Sequence, residues 1–153
     1  MDSPLQSQQM QPNAMYPGAD IPQYSIDRDS NGEIEKYKWY ESERYGYDVG
    51  EAATRRWVKC HWHGYLRARW LEHLEGNRFW IELDRGDFGL LQRASFLDQD
   101  LLPQIVEKLK RGEENLGVLS WAESNHVPSE PVVRILLALD INSRRLLHRF
   151  ECC

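Results

Sequence analysis

Residues 55–70 read RRWVKCHWHGYLRARW. Five of the chain's 19 Lys and Arg fall in this stretch, beside three of its six Trp. No Asp or Glu occurs from Ala52 to Leu71, although the whole chain carries a formal charge of -5. On a helix advancing about 100° per residue, Val58, Trp62, Tyr65 and Leu66 share one side. Arg56, Lys59, His63 and Arg67 share another, at spacings of 3, 4 and 4. The aromatic side is read as packing inward and the basic side as facing water. With nothing acidic beside it on its own helix, the stripe Arg56, Lys59, His63, Arg67 is the candidate partner-binding surface. It can hold phosphates or an acidic partner.

The flanks of this stretch extend the helix. Asp48-Val49-Gly50-Glu51 has the spacing of a capping box, so the helix is expected to begin at Val49. Gly64 marks an interruption near His63. Tyr65–Glu75 then resumes, with Leu66, Trp70 and Leu74 on one face, and Gly76 ends it. Upstream, Asn31-Gly32 has the turn chemistry of a tight hairpin, with β-forming residues around Tyr24–Ile26 and from Ile34. Lys38–Tyr45 is expected to turn helical and to stop at Gly46.

Downstream, Phe79, Ile81 and Leu83 alternate with Trp80 and Glu82 as a short strand would. Leu101, Leu102, Ile105, Val106 and Leu109 form one apolar helical face, closed by Arg111-Gly112. Further helices are expected over about 114–125, 130–140 and 143–149. The predicted fold is mainly α: one helical domain over 24–153, with about six helices and a small N-terminal β-hairpin. Residues 1–23, rich in Gln, Pro and Ser, are read as a disordered arm.

A chain of 153 residues suits one domain with a real core. Its 41% hydrophobic and 28% charged residues are ordinary for a globular protein. There is no secretory-type apolar block at the N-terminus and no run of about 20 apolar residues that would span a membrane. Three cysteines, two of them adjacent, make a poor disulfide framework and point to a reducing cytoplasm. A pI near 5.5 argues against nucleic-acid binding by net charge alone.

Metal chemistry finds little footing. Cys60, His61, His63 and His73 do not converge on a helix as zinc ligands must; a core thiol and surface imidazoles are the plainer reading. Asp27, Asp29 and Asn31 start a calcium-loop pattern, but Lys38 occupies the position where a bidentate Glu belongs. No metal or cofactor is expected. Arg85-Gly86-Asp87 is read as a turn. No nucleophile, acid–base pair or phosphate loop stands out, so no catalytic residue is assigned and the chain is read as a non-enzyme.

Residues 118–139, VLSWAESNHVPSEPVVRILLAL, resemble a helix-turn-helix. Ala122 occupies the small position of the first helix, Val127 the apolar turn position, and Val132 and Ile135 the buried positions of the second. The resemblance spans a unit over about 113–140. It implies Ser129 as a cap, Pro131 in the first turn, and an exposed face of Ser129, Glu130, Val133, Arg134 and Leu137. A nucleic-acid contact set would be Ser129, Arg134, Arg144 and Arg145. His126 departs from the pattern, since Gly usually supplies the positive φ there. From Ser95 to Arg149 seven Lys and Arg face eight Asp and Glu, so this region has no strong positive field.

The function expected from these residues is that of a cytoplasmic binding or adaptor protein. It would dock a protein or nucleoprotein through the N-terminal arm, the basic stripe or the aromatics of 37–47. The alternative is DNA binding through 118–139.

Overall fold

The computed structural model describes residues 21–144 and 146–150. The expected arm lies outside them except for its last residues. Arg145, from the alternative nucleic-acid set, also lies outside. Among the described residues the fold is mainly helical, with six α-helices and one two-stranded sheet. In chain order these are β1 (Gln23–Tyr24), α1 (Ile26–Tyr45), α2 (Glu51–Glu75), β2 (Phe79–Trp80), α3 (Leu90–Arg93), α4 (Leu101–Lys110), α5 (Asn115–Ser124) and α6 (Ser129–Leu139). Arg85–Asp87 forms a single 3-10 turn.

The helix that contains the basic stretch organises everything else. α2 runs 25 residues without a break at Gly64. Val58, Trp62, Leu66, Trp70 and Leu74 are all buried and four residues apart. Four residues turn a helix by about 400°, so this stripe advances about 40° at each step and winds about 160° from Val58 to Leu74. One helix therefore presents nearly opposite faces at its two ends. Trp57, Val58, Trp62 and Leu66 pack with Ile26, Ile34 and Trp80. Trp70, Leu71 and Leu74 join the core formed by α3 to α6.

No hairpin forms at Asn31-Gly32. Both residues lie inside α1, and β1 instead pairs in parallel with β2, with Gln23 opposite Phe79 and Tyr24 opposite Trp80. Gly32 costs a helix interior about 1 kcal/mol relative to Ala. Two tertiary effects outweigh that local preference. Ile26, Ser30, Ile34 and Glu41 recur at helical spacing and are buried against α2. The N-terminus is also capped from far away in sequence. Glu82 accepts hydrogen bonds from the Ser25 hydroxyl at 2.7 Å, the Ile26 amide at 2.7 Å and the Asp27 amide at 3.1 Å. The Ser25 Oγ in turn accepts from the Arg28 amide.

Partial burial pushes the Glu82 carboxyl upward, but those three donors outweigh it and hold it below its usual range. Glu82→Ala is expected to lower stability by about 1–2 kcal/mol, the scale of a lost N-cap. A carboxyl held low contributes stability above its unfolded pKa and loses it as pH falls through its folded pKa. Urea denaturation should therefore show the gap between Glu82→Ala and the parent narrowing below about pH 4. A gap unchanged at pH 3 would mean that the charge does not hold α1.

Other boundaries differ in instructive ways. α2 starts at Glu51, because Gly50 at φ 60°, ψ -142° takes the position before it and Asp48 Oδ1 caps only the Gly50 amide, at 2.9 Å. The capping box is thus replaced by a conformation that glycine adopts readily. The strand expected over 79–83 stops at Trp80 because its partner is two residues long; Ile81 is exposed. Among the described residues of 143–149 none is helical. Their chain is instead tied down by the Trp62 indole, whose Nε1–H donates to the Leu146 carbonyl at 2.8 Å.

Gly46 and Gly76 do end α1 and α2. The apolar face of α4 is buried at all five expected positions.

Candidate functional site

α1 buries one face on α2 and leaves the other in solvent. Trp39 is 60% exposed, Tyr40 66% and Tyr47 65%. Trp39 and Tyr40 touch edge to face at 5.3 Å. Just past Gly46, the Tyr47 ring meets Tyr45 at 6.0 Å. Trp39 and Tyr47 line one open cleft of about 670 Å³ with Glu35, Lys38, Glu43 and Asp48. Aromatic rings are costly to leave in water and are the side chains most enriched at interface hot spots.

The charges around these rings are unevenly engaged. Lys38 is paired with Glu35 at 3.3 Å, and Arg44 with Glu41 at 3.7 Å. Glu43 is exposed and makes no ion pair with another described residue. Asp48 spends one oxygen on the Gly50 amide. Three carboxylates and one ammonium therefore line the cleft, which leaves it acidic.

The basic stripe is less free than its own helix implies. Arg56 donates to Glu41 of α1 at 2.9 Å. Arg67 pairs with Glu114 at 2.9 Å and donates to the Glu113 carbonyl at 3.2 Å. The acids absent from 52–71 arrive from neighbouring elements. Lys59 and His63, in the middle, are exposed. His63 and Arg67 also line a cleft of about 240 Å³ together with Arg144. That cleft joins members of the two candidate sets, although both guanidiniums already have carboxylate partners.

The alternative set is dispersed. Ser129 and Arg134 are exposed on α6, where Arg134 faces Glu130 at 3.9 Å. Arg144 pairs with Asp87 at 2.7 Å and lies over the Trp70 ring at 4.2 Å, a structural placement. Ser129 is the first residue of α6 and does not cap it; Pro128 precedes it. The turn before α6 does form. His126 takes φ 58°, the Val127 amide donates to the Ala122 carbonyl at 2.8 Å, and the His126 amide to Glu123 at 3.2 Å. This is the double bond of a Schellman ending, built with a histidine where glycine is usual. Ala122, Val132 and Ile135 are buried, and Val127 packs against the same core.

Among the described residues no group of three or more His, Cys, Asp or Glu is placed to hold a metal. Asp27, Asp29 and Asn31 lie on α1, not in a loop. Cys60 is exposed rather than in the core, while His73, read as a surface imidazole, is fully buried.

The sequence drew attention to 37–47 for its aromatics but not to Glu43, whose missing partner only the tertiary structure reveals. No helix among the described residues is long and apolar enough to cross a membrane. The chain matches no family model, no curated protein and no solved structure.

Proposed function

We propose that this chain is a non-catalytic, cytoplasmic binding protein that docks a macromolecular partner on the aromatic end of α1, with the middle of the basic stripe as an accessory contact. The observation that carries this reading is the exposure of Trp39, Tyr40 and Tyr47, with Trp39 and Tyr47 lining one cleft. Trp57, Trp62, Trp70 and Trp80 are buried, so the exposure of Trp39 is a local departure from how the molecule treats its indoles. The stripe is secondary because Arg56 and Arg67 are already engaged at its ends.

Affinity capture from an extract of the native host, with and without nuclease, tests the surface. The double variant Trp39→Ala, Tyr47→Ala is expected to lose a stoichiometric partner while its thermal midpoint stays near the parent's, since exposed side chains contribute little to stability. Lys59→Glu with His63→Glu should weaken capture less. Capture that survives the aromatic pair but fails with the stripe pair would relocate the site.

A second reading, DNA contact through α6, draws on the turn at His126 and the burial of Ala122, Val132 and Ile135. Its exposed face offers Arg134 beside Glu130 and little else to meet phosphates. Capture lost with Arg134→Ala and with nuclease, but not with the aromatic pair, would favour it.

A further inference from the structure

Resting on the reading of the α1 end as a docking surface, we infer that its ligand is a cationic protein segment, one that brings an Arg or Lys onto the Trp39 ring. The molecule's own indoles supply the first argument. Trp70 carries Arg144 at 4.2 Å, Trp80 carries Arg69 at 5.6 Å and Trp121 carries Lys108 at 4.5 Å. Trp57 and Trp62 pack on other rings. Trp39 has the Tyr40 ring at one edge and, among the described residues, no cation over it. An exposed indole face is the strongest of the ring sites for a cation.

Charge is the second argument. The ammonium in the cleft is spoken for by Glu35, whereas Glu43 is unpaired and Asp48 keeps an oxygen available. An arriving guanidinium would meet an aromatic face and a carboxylate together, the arrangement Arg69 already has with Trp80 and Glu72. Neighbouring Tyr45 shows that the cluster accepts a guanidinium, because Arg44 lies 5.3 Å above its ring.

The same charges disfavour other occupants. A nucleic-acid strand could stack on Trp39 and Tyr47, but its phosphates would face three carboxylates. The chain's own residues 1–20 contain Asp2 and Asp20 and no Lys or Arg, so they offer no cationic side chain.

Fluorescence anisotropy with the full chain tests this directly. The probes are labelled twelve-residue peptides of alternating Arg-Gly, Lys-Gly, Ser-Gly and Glu-Gly, plus a labelled single-stranded 12-mer oligonucleotide. The Arg-Gly peptide is expected to bind, Lys-Gly more weakly, and Ser-Gly and Glu-Gly not at all. Trp39→Ala and, separately, Glu43→Lys should each weaken Arg-Gly binding about ten-fold, as should raising the salt.

Arg-Gly binding that neither variant changes would overturn the inference, as would no preference over Ser-Gly. Tighter binding of the oligonucleotide, lost in Trp39→Ala, would overturn it in favour of base stacking. If the peptides fail yet host-extract capture still depends on Trp39 and Tyr47, the docking surface stands and its cationic ligand falls. If both fail, both readings fall.

Discussion

Trp62→Ala lowers the stability of the fold by about 3–5 kcal/mol, the range for truncating a buried aromatic. Trp62 is 4% exposed and lies where three parts of the chain meet. Its ring stacks on Tyr65 at 5.8 Å and touches Trp57 at 6.4 Å and His148 at 4.9 Å. Its Nε1–H donates to Leu146 and so holds the segment after α6 against α2. Trp62→Phe separates the two contributions. It keeps most of the packing and removes the donor, and should cost only about 1–2 kcal/mol. In both variants limited proteolysis should cut the chain after Leu146 sooner than in the parent. A loss below about 1 kcal/mol for Trp62→Ala in chemical denaturation would mean that the indole is not part of the core.

The second large effect centres on His73. It is fully buried between two backbone groups. The Trp80 amide donates to its Nδ1 at 3.2 Å, and its Nε2 lies 2.8 Å from the Asp84 carbonyl oxygen. Nδ1 must therefore accept and Nε2 must carry the proton, which is the neutral ring. Burial lowers the pKa, and the Asp84 carbonyl and nearby Asp87 offset that only in part. A second proton would also point at the Trp80 N–H.

His73→Ala is expected to cost about 3 kcal/mol, because it removes a buried ring and orphans two backbone groups. The pH dependence follows with its own sign. The folded pKa is below the unfolded value of about 6.5, so the neutral ring contributes fully above that pH. The contribution declines as pH falls from about 6.5 towards the folded pKa, with a slope of at most about 1.4 kcal/mol per unit. His73→Leu should flatten the slope of stability between about pH 6.5 and pH 5. A parent whose stability is level across that window would contradict the neutral buried assignment.

How much of the molecule the sequence alone determined depends on whether a feature is local. The face of α4, Leu101 to Leu109, was legible because all five apolar residues serve one side of one short helix. Gly46 and Gly76 were legible as helix ends for a similar reason. The turn at His126 formed in spite of its residue: buried Ala122 and partly buried Val127 bracket it, and packing compels the positive φ. The aromatic surface was visible as composition over 37–47. Which rings would be bare was not, because Trp39 and Trp62 look alike until one knows what covers each.

What only the tertiary structure decided has one physical origin: interactions between residues far apart in sequence outweigh local preferences of about a kcal/mol. Asn31-Gly32 has hairpin chemistry, yet it becomes helical because α1 is buried on α2 and capped by Glu82. α2 passes through Gly64 because its winding stripe has a core to meet on each side. Leu146 joins no helix, and the Trp62 indole captures the carbonyl that a helix would have used. The basic stripe, free of acids along its own helix, finds Glu41 and Glu114 across helix boundaries. Spacing along one chain fixes which residues share a face. Only packing determines what that face meets.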